Sequence, residues 1–224
     1  MTSILEKNTA RKIKIAPAIP RQTRFTNFFV QKNGMDGNHF KEWIFYPGML
    51  FRSPDKWWGD QRMRARPHEG LDLCLYRDRE NQIIHLKEGA KIPAVYDGVI
   101  VRIIEDFLGK SIFIEHSLST FDRSRLYTIY GHSIPHPELS IGKTVQQGDT
   151  IGTIADANRS NTHILTHLHI SLGWTTDIIS HDKLDWETIS KQGVLTLLDP
   201  LEIIDGGYRI LKENINDYGS EITI

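Results

Sequence analysis

Alternation of apolar and polar residues dominates the chain from Leu71 onward. Short runs with a two-residue period are separated by turn residues such as Asp97-Gly98, Gly142 and Gly148. A period of two is the pattern of a strand with one buried face, and short strands cut by turns are typical of a mainly β domain. The predicted strands are LDLCLY, IPAVYDGVIVRII, SIFIEH, RLYTIYGH, TVQQGDTIGTI and HLHISLGW.

The two ends of the chain follow other patterns. Residues 1–24 combine basic residues with prolines, which predicts an extended or partly disordered arm. Aromatic residues crowd the range 25–58 and predict packing on the main core, with a groove-lining role for Trp57 or Trp58 as the alternative. Near the C-terminus, DKLDWETISKQG predicts a short helix that stops at Gly193.

Composition limits the possible partners. The 39% hydrophobic and 25% charged residues are typical of a soluble globular protein, and no run of about 20 apolar residues suits a membrane span. A net charge of -1 argues against nucleic acid and anionic membranes as partners. Cys74 is the sole cysteine, so neither an internal disulfide nor a cysteine-based zinc cage can form.

The segment HLHISL carries the strongest chemical signal. In a strand, His167, His169 and Ser171 project to one face, while the intervening Leu and Ile residues bury the other. Two imidazoles on one face can serve as two metal ligands, or as one ligand and one acid or base. A pair of exposed histidines would show the same spacing, so the pattern alone leaves both interpretations open.

Two further segments carry weaker signals. In PHEGLDL, Pro67 and Gly70 argue against a helix, so we expect a tight loop that leads from His68 into a strand bearing Asp72. Taken alone, this segment favours an ordinary turn over a ligand pair. In LYTIYGH, alternation places His132 on the same face as Thr128 and Tyr130.

Together these segments supply the residues of a hydrolytic zinc site, which needs three nitrogen or oxygen ligands, an open position for water, and groups that move protons. Their order resembles the lysostaphin/LytM family of zinc peptidases, whose patterns are H-x-x-x-D, a histidine after an aromatic-containing strand, and a final H-x-H. The resemblance extends from about His68 to Leu172 and includes the turn at Asp97-Gly98-Val99 and the segment GKTVQQGDTIG.

The resemblance implies roles for particular residues. His68, Asp72 and His169 would bind zinc, and His132 and His167 would be the catalytic histidines. It also implies a curved antiparallel sheet that forms a groove, and a zinc endopeptidase that cuts the peptide part of bacterial peptidoglycan in the cell envelope. The chain shows no secretory signal, so a signal has been removed or export uses another route.

The residue patterns and the resemblance together suggest a division of the chain. We expect an N-terminal extension over residues 1–60 that packs on the core, a zinc peptidase domain over residues 61–180, and a C-terminal helical segment and tail over residues 181–224. The range 157–166 departs from the glycine-rich loop of the family, which affects the substrate subsites. We expect a hairpin within residues 76–91.

The remaining candidate residues have simpler interpretations. His116 is expected to be a core histidine or a partner of a site residue, and Cys74 a small buried residue. Loop or surface positions are expected for His39, His85, His136, His163 and His181.

Two other functions stay open: a non-catalytic relative that binds the wall or regulates a hydrolase, and a carrier-type barrel, which leaves the H-x-H motif unexplained. The sequence leaves the oligomeric state unknown.

Overall fold

The computed structural model of this protein describes residues 22–37, 39–59, 63–119, 124–157, 164–175, 179–191 and 194–212. Apart from residues 22–24, the predicted N-terminal arm lies outside these ranges. So do Gly193, the predicted helix stop, and residues 158–163 of the loop before the H-x-H motif.

Strands dominate the described part of the chain. The two α-helices are α1 (Phe25–Lys32) and α2 (Trp186–Ser190). The strands are β1 (Glu42–Phe45), β2 (Leu71–Leu73), β3 (Leu75–Arg77), β4 (Ile83–His85), β5 (Lys91–Pro93), β6 (Gly98–Glu105), β7 (Lys110–Ser119), β8 (Arg125–Pro135), β9 (Thr144–Val145), β10 (Thr150–Ile154), β11 (Leu168–Thr175), β12 (Leu195–Leu198) and β13 (Tyr208–Ile210).

Among the described residues, nine strands form one large sheet. Its main path runs in the order β12-β11-β8-β7-β6-β9, and β2 pairs with β11, whereas β10 pairs with both β5 and β8. All these pairings are antiparallel. Register shifts within the β6–β7 and β7–β8 pairs mark bulges, which bend the sheet. The predicted mainly β, curved antiparallel fold is confirmed.

The alternation in β11 explains how the sheet is buried. Leu168, Ile170 and Leu172 point into the main hydrophobic core, as the sequence predicted. A second, smaller cluster covers the other face and includes Tyr127 and Ile129 of β8. Because both faces are covered, β11 is buried along its whole length, and a polar side chain on it needs partners inside the protein.

The aromatic N-terminal range belongs to the same core. Phe25 and Phe29 of α1 and Trp43 of β1 are buried together with the strands of the large sheet. The rings of Phe29 and Trp43 meet edge to face at a centroid distance of 5.5 Å. Helix α1 itself was missing from the predicted elements. The division at residues 60 and 180 stays a prediction, although this core is continuous across residue 60.

A small four-stranded sheet, in the order β13-β1-β3-β4, brings both ends of the described chain together. The predicted hairpin is present as the antiparallel pair β3–β4. The predicted strand LDLCLY is divided at Cys74, because residues 71–73 pair with β11 of the large sheet and residues 75–77 pair with β1 and β4 of the small one. Cys74 is buried, as predicted.

The predicted C-terminal helix is shorter than its sequence pattern. It covers Trp186–Ser190, and Asp185 caps it by accepting a hydrogen bond from the Thr188 N–H group at 2.7 Å. The residues before it, His181–Lys183, form a 3-10 turn. No helix among the described residues is long and apolar enough to cross a membrane.

Candidate active site

Strand pairing brings Asp72 and His169 together. In the antiparallel pair β2–β11 these two residues lie directly opposite each other, so their side chains share one face. The Nδ1 atom of His169 lies 2.8 Å from Oδ1 of Asp72. His68, in the loop before β2, directs its Nε2 atom to within 3.2 Å of the same carboxylate oxygen and 3.2 Å of His169 Nδ1. One atom from each residue therefore converges on one point.

The atoms of these three side chains that point away from the shared point form hydrogen bonds with other groups of the protein. His68 Nδ1 donates to the Leu50 carbonyl at 3.0 Å, which leaves a lone pair on Nε2. His169 Nε2 lies 2.9 Å from the Ser171 hydroxyl, and Asp72 Oδ2 accepts from Trp57 Nε1 at 2.7 Å. Such partners fix the orientation of a ligand and, for histidine, its tautomer. The indole of Trp57 therefore orients the carboxylate.

Gly70 makes this arrangement sterically possible. A Cβ atom at this position would lie 2.3 Å from the Ile170 carbonyl oxygen and 2.6 Å from His169 Nε2, well inside contact distance. The glycine is needed for close approach of the loop to β11, whereas its backbone conformation is open to other residues, because its φ is not positive. Gly131 is also closely packed, but less severely: its Cβ would lie 3.3 Å from both the His169 Cβ atom and the Trp186 ring.

The surrounding imidazoles favour the ionised form of Asp72. Burial alone would raise the pKa of this carboxyl, but the electrostatic effect of the nearby His68 and His167 rings and hydrogen bonds with His169 and His68 outweigh burial and hold the pKa well below its ordinary value. The carboxylate is thus ionised at neutral pH. An anionic oxygen between imidazole nitrogens fits a divalent cation with a preference for nitrogen and oxygen ligands, as zinc has.

His167 lies beside this cluster and is neutral. Its Nδ1 atom donates to the Leu165 carbonyl at 2.8 Å, and its Nε2 atom lies 3.8 Å from Asp72 Oδ1. Burial lowers the pKa of His167 to about 3, with smaller opposing contributions from Asp72. The ring therefore presents a proton-accepting Nε2 atom to the site at neutral pH.

His132 reaches the site through a bulge in β8. The register of β7 against β8 passes from Ile112 opposite Tyr130 to Lys110 opposite Ser133, and His132 has a φ of 58°, which is rare outside glycine. Simple alternation predicted that His132 would share a face with Tyr130. That prediction is wrong, because the bulge turns His132 towards the H-x-H pair, and its ring centroid lies 4.7 Å from that of His167.

These five residues line a cavity of about 350 Å³. Other charged and aromatic side chains also line this cavity. Of these, the sequence suggested a groove-lining role only for Trp58. The guanidinium of Arg64 lies 4.5 Å above the Trp58 ring and 3.7 Å from Asp72 Oδ2. The other lining residues are Glu69, Asp106, Phe107, Ile164 and Trp186.

The remaining histidines lie elsewhere. His116 is a core residue: it is buried, its Nδ1 donates to the Asp97 carbonyl at 2.9 Å, and its Nε2 contacts the Thr128 hydroxyl. His85 was predicted on the surface or in a loop, but it lies half-buried in β4, where Nε2 donates to the Thr166 carbonyl. The predicted exposure is confirmed for His39, His136 and His181, whereas His163 lies outside the described residues.

Comparison with known proteins identifies the family of the matched segment. The family model for peptidase family M23 matches residues 79–180. This range contains His132, His167 and His169, but it begins after His68 and Asp72. The resemblance to peptidases of the lysostaphin/LytM type is therefore confirmed by a match to peptidase family M23 over residues 79–180. Among curated proteins, none matches the chain.

Three solved structures are similar to this chain at low identity. The catalytic domain of the prophage-encoded M23 protein EnpA from Enterococcus faecalis is 20% identical, covering 59% of this chain and 85% of that one with a TM-score of 0.35. Lysostaphin is 15% identical, with coverages of 80% and 62% and a TM-score of 0.41. A peptidase M23 protein from Pseudomonas aeruginosa is 18% identical, with coverages of 66% and 53% and a TM-score of 0.33.

Proposed function

We propose that this chain is a zinc metallo-endopeptidase that hydrolyses peptide bonds in bacterial peptidoglycan. The observation that carries the proposal is the convergence of His68, Asp72 and His169, each of which offers one ligand atom within 4.8 Å of the other two. Three such ligands leave a fourth position for water or substrate, which distinguishes a catalytic zinc site from a closed structural one.

The chemistry of the donor set supports zinc as the metal. Two imidazoles and one carboxylate are a common ligand set for catalytic zinc, and each has a hydrogen-bonding partner on its far side. When bound, zinc supplies Lewis acidity that polarises the scissile carbonyl and activates a water molecule. The ligand set therefore needs neighbours that move protons.

His167 and His132 are suited to that task. His167 donates from Nδ1 to the Leu165 carbonyl, so its unprotonated Nε2 atom, 3.8 Å from Asp72 Oδ1, can accept a proton from the attacking water. His132 directs Nδ1 towards the Asp106 carboxylate, 3.3 Å away. A carboxylate at this position stabilises positive charge on an imidazole ring. His132 is therefore suited to take up a proton on Nε2 and then to donate it towards the developing oxyanion or the leaving amine.

The family match and the cavity support the substrate. The match to peptidase family M23 supports cleavage of a peptide bond. The resemblance of the motifs to lysostaphin-type peptidases implies the peptide part of the wall as substrate. Aromatic side chains such as Trp58, Phe107 and Trp186 line the cavity beside the ligand cluster and offer surfaces on which an extended peptide can pack. A wall substrate places the protein in the cell envelope, either in the periplasm or outside the cell.

The test combines metal content with product analysis. Purified protein should contain about one zinc per chain, as expected for a site with a single ligand set. Peptidoglycan digests should yield cleaved peptide bridges with intact glycan strands, and chelation should abolish cleavage until zinc is restored. Hydrolysis by metal-free protein would overturn the proposal. Bound zinc without hydrolysis of several wall types would favour the non-catalytic relative.

A further inference from the structure

The carboxylate of Asp106 lies within hydrogen-bond distance of several donors. Oδ1 accepts from the backbone N–H groups of Leu108 and Gly109, both at 2.9 Å, and lies 3.3 Å from His132 Nδ1. Oδ2 accepts from the Ser111 hydroxyl at 2.7 Å and from the His132 backbone N–H at 2.8 Å. One side chain therefore contacts both the backbone and the ring of His132.

The two contacts with His132 have different consequences. The bond from the His132 backbone N–H holds a residue whose φ of 58° is rare for a non-glycine residue. The contact with Nδ1 requires the proton to lie on that nitrogen, because an ionised carboxylate can only accept. In the neutral ring, Nε2 is then left as the free acceptor.

We propose that Asp106 is a positioning residue for His132, which fixes both the bulge that brings the ring to the cavity and the tautomer that presents Nε2. This inference rests on the proposed function, because it explains how one of the two proposed proton-transfer groups is oriented. Asp106 touches no metal ligand in this arrangement and acts through His132.

A turn-stabilising role alone would not explain the geometry. The bonds to the Leu108 and Gly109 N–H groups are those of an ordinary Asp-initiated turn between β6 and β7. His132, which makes the other two contacts, lies 26 residues after Asp106 in the sequence. These contacts therefore join the turn to the bulge in β8. Both carboxylate oxygens are used in these contacts, so the amide of asparagine cannot satisfy all the donors.

The supporting network continues towards α2. Ser111, which donates to Asp106, accepts a hydrogen bond from Trp186 Nε1 at 2.9 Å. The Trp186 ring also packs against His169 at a centroid distance of 5.2 Å. The C-terminal helix thus supports the carboxylate that contacts His132.

The experiment compares Asp106→Asn with Glu105→Gln in the full-length, zinc-loaded protein. Glu105 is the neighbouring acid, is exposed, and forms a surface ion pair with Lys110, so it is a matched control for loss of one negative charge. We expect Asp106→Asn to lower kcat roughly 10- to 10³-fold with little change in KM or zinc content, and Glu105→Gln to match the wild type. An unchanged kcat in Asp106→Asn, or a loss explained by zinc release, would overturn the inference.

A second measurement needs no activity assay. Long-range proton–nitrogen NMR of the zinc-loaded wild type should show the His132 ring protonated on Nδ1, and Asp106→Asn should shift the ring towards the other tautomer. A wild-type ring protonated only on Nε2 would contradict the inference. This readout does not depend on peptidoglycan cleavage: the Nδ1 tautomer in an inactive protein would leave the inference standing while the proposed function fails.

Discussion

The two sides of the cavity are built in different ways. On one side, Asp72 and His169 lie opposite each other in the regular pairing of β2 with β11, and His68 reaches them from the loop before β2. On the other side, His132 depends on a bulge and a left-handed backbone conformation. The regular side suits ligands that must stay fixed relative to one another, whereas the irregular side directs one imidazole at a point that the sheet would not otherwise reach.

The largest expected effect comes from removing the proposed zinc ligands on the regular side. His68→Ala and Asp72→Ala each remove one of three proposed ligands, so zinc affinity should fall by orders of magnitude and hydrolysis should become undetectable. Zinc content by elemental analysis and wall digestion should change together. An alanine variant that kept full zinc content would remove that residue from the ligand set.

The next effect comes from removing the two proposed proton-transfer groups, His132 on the irregular side and His167 beside the ligands. His132→Ala and His167→Ala leave the three proposed ligands intact but remove a group that handles a proton or stabilises the oxyanion, so turnover should fall by roughly 10²–10⁴-fold. Zinc content should stay close to one per chain. Steady-state kinetics on a cross-linked peptide measure the effect, and a variant with wild-type kcat would exclude that histidine from the chemistry.

A smaller effect is expected from the partner of Asp72. Trp57→Phe removes the indole donor at 2.7 Å from Oδ2 but keeps an aromatic ring next to His167. Zinc affinity should fall roughly 10- to 100-fold, as for the loss of other partners of metal ligands. Competition with a chelating dye measures it. Trp58→Phe is the matched control, and equal affinities for both variants would argue that Trp57 acts only by packing.

The smallest effect concerns stability outside the site. Burial lowers the pKa of His116 to about 4, below the value of about 6.5 for an unfolded histidine. The unfolded state therefore binds the proton first, so this contribution to stability is present above pH 6.5 and is lost as pH falls towards 4. Between pH 7 and pH 5 the loss should be about 2 kcal/mol. In urea unfolding, the free energy of unfolding of His116→Gln should fall correspondingly less between pH 7 and pH 5 than that of the wild type. An identical pH dependence of stability in the two proteins would contradict a lowered pKa for His116.

Much of the regular side could be predicted from the sequence. The alternation in β11 gave the shared face of His167, His169 and Ser171, and Gly70 indicated that the chain before Asp72 is a loop. Resemblance of the motifs to a known family then grouped five residues that single segments left open. Most strands of the large sheet were predicted because their pattern has a period of two, whereas β1, β12 and β13 were missing from the predicted elements.

The irregular side could not be predicted. No residue pattern marks the bulge at His132, so alternation placed it on the wrong face. Asp106, and also Trp57 on the regular side, are far in sequence from the residues they orient. Each has a common alternative interpretation, as a turn residue or as core packing. Only the folded arrangement shows that their polar atoms contact site residues.

The most direct test of the account uses the two histidines of the H-x-H motif. They are two residues apart and both buried, but only His169 is proposed as a ligand. Zinc dissociation constants of His167→Ala and His169→Ala should be measured side by side. We predict near wild-type affinity for His167→Ala and a loss of at least about 100-fold for His169→Ala. The reverse order, or equal losses in both variants, would contradict the division of the cavity into a ligand side and a proton-transfer side.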